Sequence, residues 1–267
     1  MTTLIDSHCH PASLQKEEST DPPGWLQRAQ EAGVSHCIAI GTDPGDWETY
    51  RQLASRFPGS ISWTAGLHPS YVGENYDSSH RLLDTYLASD QSPRPCALGE
   101  IGLDFTRLKK ETREENIRWQ SDAYSQQLQK AQAHDLPVVI HSRGTVTECL
   151  AILSETSFPP ERAIFHCFAE GVESLQKIKA AGAHCSFTGI ITFRSAENVR
   201  EALAANGLEN LILETDSPYL SPEPYRGKRN EPARIATIAE FCADFFKTDV
   251  ETVARVSTEN ARRFFGL

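Results

Sequence analysis

Leu4-Ile5-Asp6-Ser7-His8-Cys9-His10 begins as an apolar run and ends in two histidines spaced by one residue. Side chains two apart on a strand share a face, so His8 and His10 point one way and Cys9 the other. Runs of this kind recur along the chain. Strands are expected at 3–8, 36–41, 61–67, 96–101, 137–141, 163–166, 184–187 and 210–214. Helical stretches lie between them at 25–32, 47–57, 81–88, 111–134, 145–155, 172–181 and 197–205. In 111–134, Ile117, Ala123, Tyr124, Leu128 and Ala131 approximate a 3.6-residue stripe. Gly33, Gly182 and Gly207 follow three of these stretches, where a left-handed cap suits glycine. Two closing helices are expected at 232–246 and 250–265. Eight strand–helix pairs predict an α/β fold, a (β/α)8 TIM barrel rather than an open doubly wound sheet, as one domain over 1–267.

Composition narrows the function classes. The hydrophobic fraction of 39% is enough for a core and too high for a disordered chain. Nothing approaches an 18-residue apolar span, so a membrane-spanning protein is excluded; MTTLIDSHCHPAS lacks the basic and apolar regions of a signal peptide. Seven scattered cysteines without a C-x-x-C argue against a disulfide scaffold and for a reducing, cytoplasmic setting. With 26 Lys+Arg against 36 Asp+Glu, the net charge is −10, which disfavours broad adhesion to nucleic acid. A local group of cations can still dominate one cleft.

The strand ends carry the chemistry. They read His8-Cys9-His10, Gly99-Glu100, His141, His166 and Glu214-Thr215-Asp216. In a barrel these ends form one rim, which carries the active site. Taken singly, His141 is a satisfied core histidine, Glu100 a salt-bridge partner and Asp216 a turn cap before Ser217-Pro218. Taken together, four imidazoles and two carboxylates are costly to bury unless a cation compensates them. One cation leaves several idle. Two divalent cations about 3.5–4 Å apart employ them all, with one carboxylate bridging and a hydroxide shared between them. Imidazole donors suit Zn or Mn better than Mg, which prefers oxygen, and the choice stays open among the three.

Several segments resemble the TatD family of metal-dependent hydrolases. They are Ile5–His10, Gly66-Leu67-His68-Pro69, Gly99-Glu100-Ile101-Gly102-Leu103-Asp104-Phe105, Val139-Ile140-His141-Ser142-Arg143, and His166-Cys167-Phe168. The strongest is Leu213-Glu214-Thr215-Asp216-Ser217-Pro218-Tyr219-Leu220, followed by Arg226-Gly227-Lys228-Arg229-Asn230-Glu231-Pro232. The matches run in order over nearly the whole chain. The resemblance implies a TIM barrel, a two-metal centre and a hydrolase usually described as a deoxyribonuclease. It implies His8, His10 and Asp216 on one metal, His141 and His166 on the other, and Glu100 between them. The sequence departs from the family at Gly144-Thr145 and at Ala169-Glu170-Gly171, where Glu170 adds a negative charge near the rim.

The expected reaction is phosphodiester hydrolysis by a metal-activated hydroxide, with DNA as substrate and 3′-5′ exonucleolytic trimming as one form. Asp216 is the candidate to take the water's proton. His68, Arg143, Arg226, Lys228 and Arg229 are candidate phosphate contacts, and His68 is also a candidate acid for the leaving group. A solvated basic loop is the ordinary reading of the last three. Asp104 is expected to orient a ligand histidine from behind. Tyr219 and Phe105 can stack a base, with core packing as their ordinary role. His36, His80, His134 and His184 receive no role. The alternatives are an amide or ester hydrolase on the same scaffold and a non-catalytic nucleic-acid-binding protein. The full ligand set and the acidic charge weigh against the latter. The sequence leaves oligomeric state open.

Overall fold

A computed structural model of the chain describes residues 3–15, 23–88 and 92–267. The elements in order are β1 (Leu4–Cys9), α1 (Pro11–Gln15), α2 (Gly24–Glu31), β2 (Val34–Ala39), α3 (Pro44–Arg56), β3 (Ile61–Ala65), α4 (Asp77–Leu87), β4 (Ala97–Asp104), α5 (Arg113–Ala133), β5 (Val138–Arg143), α6 (Val146–Glu155), β6 (Ala163–Phe165), α7 (Val172–Ala181), β7 (His184–Cys185), α8 (Glu197–Asn206), α9 (Ile235–Phe246) and α10 (Val250–Phe265). The seven strands assigned among the described residues pair in parallel, each with the next in sequence, as a curled sheet with helices outside. This is a TIM-barrel-like α/β fold.

The strand expected at 210–214 is not formed as such. Leu213 of this stretch and Ser217 just beyond it instead make isolated parallel bridges, Leu213 to Phe187 beyond β7 and Ser217 to Cys9 of β1. The physical reason is that side chains take the backbone donors a ladder would use. Leu213 N–H donates to Ser257 Oγ at 3.0 Å and Thr215 N–H to Asp6 Oδ1 at 2.9 Å. The Thr215 hydroxyl adds a bond to Asp6 Oδ2 at 2.6 Å. Burial pushes the Asp6 carboxyl up to about 7 against these donors.

Inside the sheet, Ile5, Ile38, Ile40, Ala97, Val139, Ile164 and Ile212 pack together, with Ala261 and Phe265 of α10 against them. A larger cluster, including Trp25, Trp47, Trp63 and Phe165, lies between sheet and helices. Burying each large apolar side chain contributes about 1.5–3 kcal/mol. No helix of the described residues is long and apolar enough to cross a membrane. All seven cysteines are unpaired.

The register breaks at two places that matter. Between Asp6 and Cys9, β1 advances one residue more than β2; between Gly99 and Ile101, β4 advances one residue more than β5. Such irregularities re-aim a side chain. His8 lies inside the first and Glu100 is the extra residue of the second. β4 also runs on to Asp104, so Glu100 sits within the strand rather than at its end as expected.

Gly102, beside this break, has φ +132°, and a Cβ there would lie 2.1 Å from the carbonyl oxygen of His141. Gly102→Ala is expected to destabilise the protein by about 3 kcal/mol, seen as a Tm drop of roughly 6–12 °C. Gly33→Ala, at φ +86° with nothing within 4 Å, is expected to cost about 1 kcal/mol. Equal Tm values for the two variants would contradict this ranking.

Candidate metal centre

His8 and His10 face the same way, their Nε2 atoms 3.1 Å apart, while Cys9 turns outward and lies 3.4 Å from the Ile38 carbonyl. His10 Nδ1 lies 3.0 Å from the carbonyl oxygen of Ile40. A carbonyl only accepts, so Nδ1 carries the proton and the Nε2 lone pair faces the cluster. Asp216 Oδ1 stands 3.4 Å from His10 Nε2 and 3.7 Å from His8 Nε2.

Glu100 joins this group to a second one. Its Oε1 is 2.7 Å from His166 Nε2, 2.8 Å from His141 Nδ1 and 3.5 Å from His68 Nε2. Its Oε2 is 3.6 Å from His8 Nε2 and 3.8 Å from His10 Nε2. One carboxylate thus turns a different oxygen to each set of imidazoles. Three groupings can hold a cation: His8 with His10 and Asp216; His8 with Glu100 and His166; and His68 with Glu100 and His141.

The electrostatics fit such an ion. Burial opposes charge on Glu100, yet His166, His68 and His141 outweigh it and hold its carboxyl well below the usual range. Burial likewise opposes charge on Asp216, whose carboxyl is kept low by His10 and His8. The counterpart appears on the bases. His166 is driven well above its ordinary value by Glu100 and Glu214 despite burial. Against the same penalty, Asp104 and Glu100 raise His141, and Asp216 raises His10. Burial lowers His8, with His166 adding to it. The carboxylates that raise the basicity of His10, His141 and His166 make a negative field that a divalent cation would satisfy in place of protons. The buried Nδ1 of His8 and Nε2 of His141 make no hydrogen bond among the described groups.

His68 differs from the rest. Its Nδ1 accepts from the Ser70 N–H at 3.0 Å, which leaves the ring proton on Nε2. Burial lowers its pKa to about 4, so the ring is neutral near pH 7 and in this tautomer presents a donor at Nε2; holding a cation there would require the other tautomer. Asp104 Oδ2 sits 3.5 Å from His141 Nε2, and its Oδ1 accepts from the Thr106 N–H and hydroxyl at 2.9 and 2.5 Å.

The basic candidates Arg143, Arg226 and Lys228 are exposed. The Arg226 guanidinium is 4.1 Å from the Phe193 ring centroid, and the Lys228 ammonium is 6.0 Å from that of Tyr225. Arg143 is exposed at the end of β5. Glu170 is not a loose charge on the rim: it accepts from Gly144 N–H at 3.2 Å and from the Ser174 hydroxyl at 2.5 Å. The sequence's two departures from the family pattern are thus bonded to each other. Tyr219 is not a core residue but 61% exposed, whereas Phe105 packs against the core. His36, His80 and His184 are held by Gly59, Gln126 and Glu161, away from the centre.

Two contributors went unassigned in the sequence. Glu214 Oε1 lies 3.3 Å from His166 Nδ1 and accepts from the Cys167 N–H at 2.8 Å, while Oε2 accepts from Ser186 Oγ at 2.5 Å. It holds the ring whose other nitrogen meets Glu100. Buried Asn230 donates to the carbonyls of Thr215 and Tyr219 at 2.9 and 2.6 Å, tying the basic loop to the rim. Only their place beside Asp216 and after the basic residues signalled them.

The family model for TatD related DNase matches residues 5–266. An uncharacterized metal-dependent hydrolase of Escherichia coli K12, YcfH, is 35% identical over 263 residues, covering 98% of this chain and 95% of that protein. A protein of Erwinia billingiae named 3′-5′ ssDNA/RNA exonuclease TatD is 32% identical over 247 residues, 91% of this chain and 92% of its own. The crystal structure of YjjV, a TatD homologue from E. coli K12, superposes with a TM-score of 0.86 at 27% identity, covering 99% of this chain and 98% of that one.

Two outcomes are expected. Glu214→Gln removes the carboxylate behind His166 and should weaken divalent-cation affinity about 10–100-fold in titration calorimetry; unchanged affinity would remove Glu214 from the centre. Because His10, His141 and His166 have raised pKa values, cation binding should release protons and strengthen as pH rises. Calorimetry in buffers of different ionisation enthalpy reads this directly, and binding enthalpies independent of buffer would contradict it.

Proposed function

This chain belongs to the TatD related DNase family of metal-dependent hydrolases, and from that premise we propose that it hydrolyses phosphodiester bonds of DNA at a two-metal centre. His8, His10 and Asp216 would hold one divalent cation, His141 and His166 the other, and Glu100 both. The observation that carries this reading is the division of the Glu100 carboxylate, with Oε1 toward His166 and His141 and Oε2 toward His8 and His10. The imidazole-rich set favours Zn or Mn over Mg as resident ion. Residues 1–267 act as one domain, with 211–217 as the eighth stave of the barrel, in the cytoplasm.

Bound cations supply Lewis acidity toward the phosphoryl oxygens and lower the pKa of attacking water. The protein does the rest. Asp216, kept ionised beside His10 and His8, receives the water's proton at Oδ1. His68 donates from Nε2 to a phosphoryl oxygen and remains neutral while doing so, which sets aside the role of leaving-group acid. Asp104 holds the His141 ring from behind. Arg143, Arg226 and Lys228 lie farther out and contact the flanking phosphates. A relative named for 3′-5′ exonuclease activity supports trimming from an end.

The test is a substrate panel on metal-stripped and reconstituted protein: single-stranded DNA, duplex DNA, RNA, p-nitrophenyl phosphodiesters and N-acyl amides. Metal-restored cleavage of DNA and phosphodiesters is expected. Cleavage of amides alone would overturn the proposal and favour the amidohydrolase alternative. Glu100→Ala should lower activity by at least about 100-fold while circular dichroism stays native. Survival of activity in that variant would remove the bridging role.

A further inference from the structure

Six large hydrophobic side chains are exposed among the described residues, and two of them lie edge-on to histidines of the cluster. Tyr219 is 61% exposed, and its ring centroid is 6.3 Å from that of His10, at 63°. Tyr71 is 56% exposed, and its ring centroid is 6.3 Å from that of His68, at 72°. The two rings therefore serve different wings of the cluster, since His10 faces Glu100 Oε2 and His68 faces Oε1.

Neither ring hangs from a loose loop. The Tyr219 N–H donates to the Asp216 carbonyl at 2.9 Å, and its own carbonyl accepts from buried Asn230 at 2.6 Å. The Tyr71 N–H donates to the His68 carbonyl at 2.9 Å, and its phenol lies against Thr42 and Asp43. Each backbone is anchored to a residue of the centre three positions earlier. A pinned backbone carrying a solvent-facing ring is a surface prepared for a flat apolar partner. Beside Tyr219, the loop closed by Asn230 carries Arg226, Lys228 and Arg229, a basic patch on a protein of net charge −10. Aromatic faces next to cations are the combination that binds single-stranded nucleic acid, where every base presents a π-face and every linkage a negative charge. Asp43 beside Tyr71 disfavours a phosphate there and leaves that position to a neutral base.

We infer that Tyr71 and Tyr219 are stacking platforms that seat unpaired bases of single-stranded DNA on the two sides of the metal centre, making them specificity-determining residues. This rests on the phosphodiesterase reading above. A paired base is already stacked within its helix, so the platforms select unpaired ends.

The experiment compares Tyr71→Ala, Tyr219→Ala, the double variant and the two Tyr→Phe variants in the metal-loaded enzyme. Three substrates are used: a single-stranded oligonucleotide, the same strand with abasic terminal nucleotides, and bis(p-nitrophenyl) phosphate. Wild type should prefer the base-bearing strand by about tenfold or more in kcat/KM, each Ala variant should raise KM on that strand about fivefold or more with kcat little changed, and the Phe variants should behave as wild type. The double variant should lose the preference and keep its activity on the small diester. Persistence of the preference in the double variant, or equal losses on both substrates, would overturn the inference. If wild type cleaves neither DNA nor the small diester, the phosphodiesterase reading fails. Anisotropy of labelled base-bearing and abasic strands on Glu100→Ala protein, with and without the tyrosines, then decides the stacking question alone. A base-dependent difference that vanishes with the tyrosines supports it, and any other pattern rejects it.

Discussion

A single carboxylate that cannot be buried alone organises this molecule. Glu100 is 3% exposed, and a charge so placed is tolerated only with positive partners around it. Imidazoles from four separate parts of the chain surround it, His8 and His10 from β1 and its end, His68 after β3, His141 in β5 and His166 after β6, and of these His10, His141 and His166 have raised basicity. No local segment could bring these groups together. The parallel sheet can, because every strand starts at one end and delivers its chemistry at the other.

The backbone bends to meet that requirement. A regular β4 would keep strict alternation through Glu100, and a regular β1 would do so through His8. Both strands instead slip by one residue against their neighbours at those points. Gly99 and Gly102 accompany the slip in β4, where Cβ atoms would meet Val139 and His141 at 2.6 and 2.1 Å. The join between β1 and the 213–217 stretch is just as specific. Asp6, Ser7 and Thr215 replace part of a regular ladder with side-chain bonds, so the residues next to the candidate ligands also hold β1 to the 213–217 stretch.

The strand order, the helices and the convergence of His8, His10, Glu100, His141, His166 and Asp216 were legible because they follow from periodicity of two and 3.6 and from polar residues recurring at strand ends. The expected 172–181 and 250–265 match α7 and α10 to the residue. What stayed hidden depends on side-chain competition for backbone groups. The eighth strand was written in its apolar residues, Leu211, Ile212 and Leu213, but Ser257, far along the chain, takes the Leu213 donor. Glu214 stood in plain view beside Asp216, yet nothing local shows which of two adjacent acids turns toward His166. Tyr219 reads as a core residue by composition, yet it is 61% exposed on a backbone held by Asp216 and Asn230, neither of them a local apolar signal.

Charge explains why the centre sits in so acidic a protein. A DNA strand approaching a body of net charge −10 meets repulsion everywhere except where cations are concentrated. Within the cluster, protons on His10, His141 and His166 can balance charge on Glu100, Asp104, Glu214 and Asp216, but against four acids they leave no positive excess to offer a phosphate. Divalent cations displacing those protons would convert a neutralised pocket into an attractive one, and deliver that attraction at the reacting atoms. The peripheral Arg226, on its Phe193 support, and Lys228 would then extend the field outward along the strand. On the proposed reading, the acidic surface would weaken adhesion along the length of a nucleic acid and favour the metal centre, with its flanking tyrosines, as the place where an end is held.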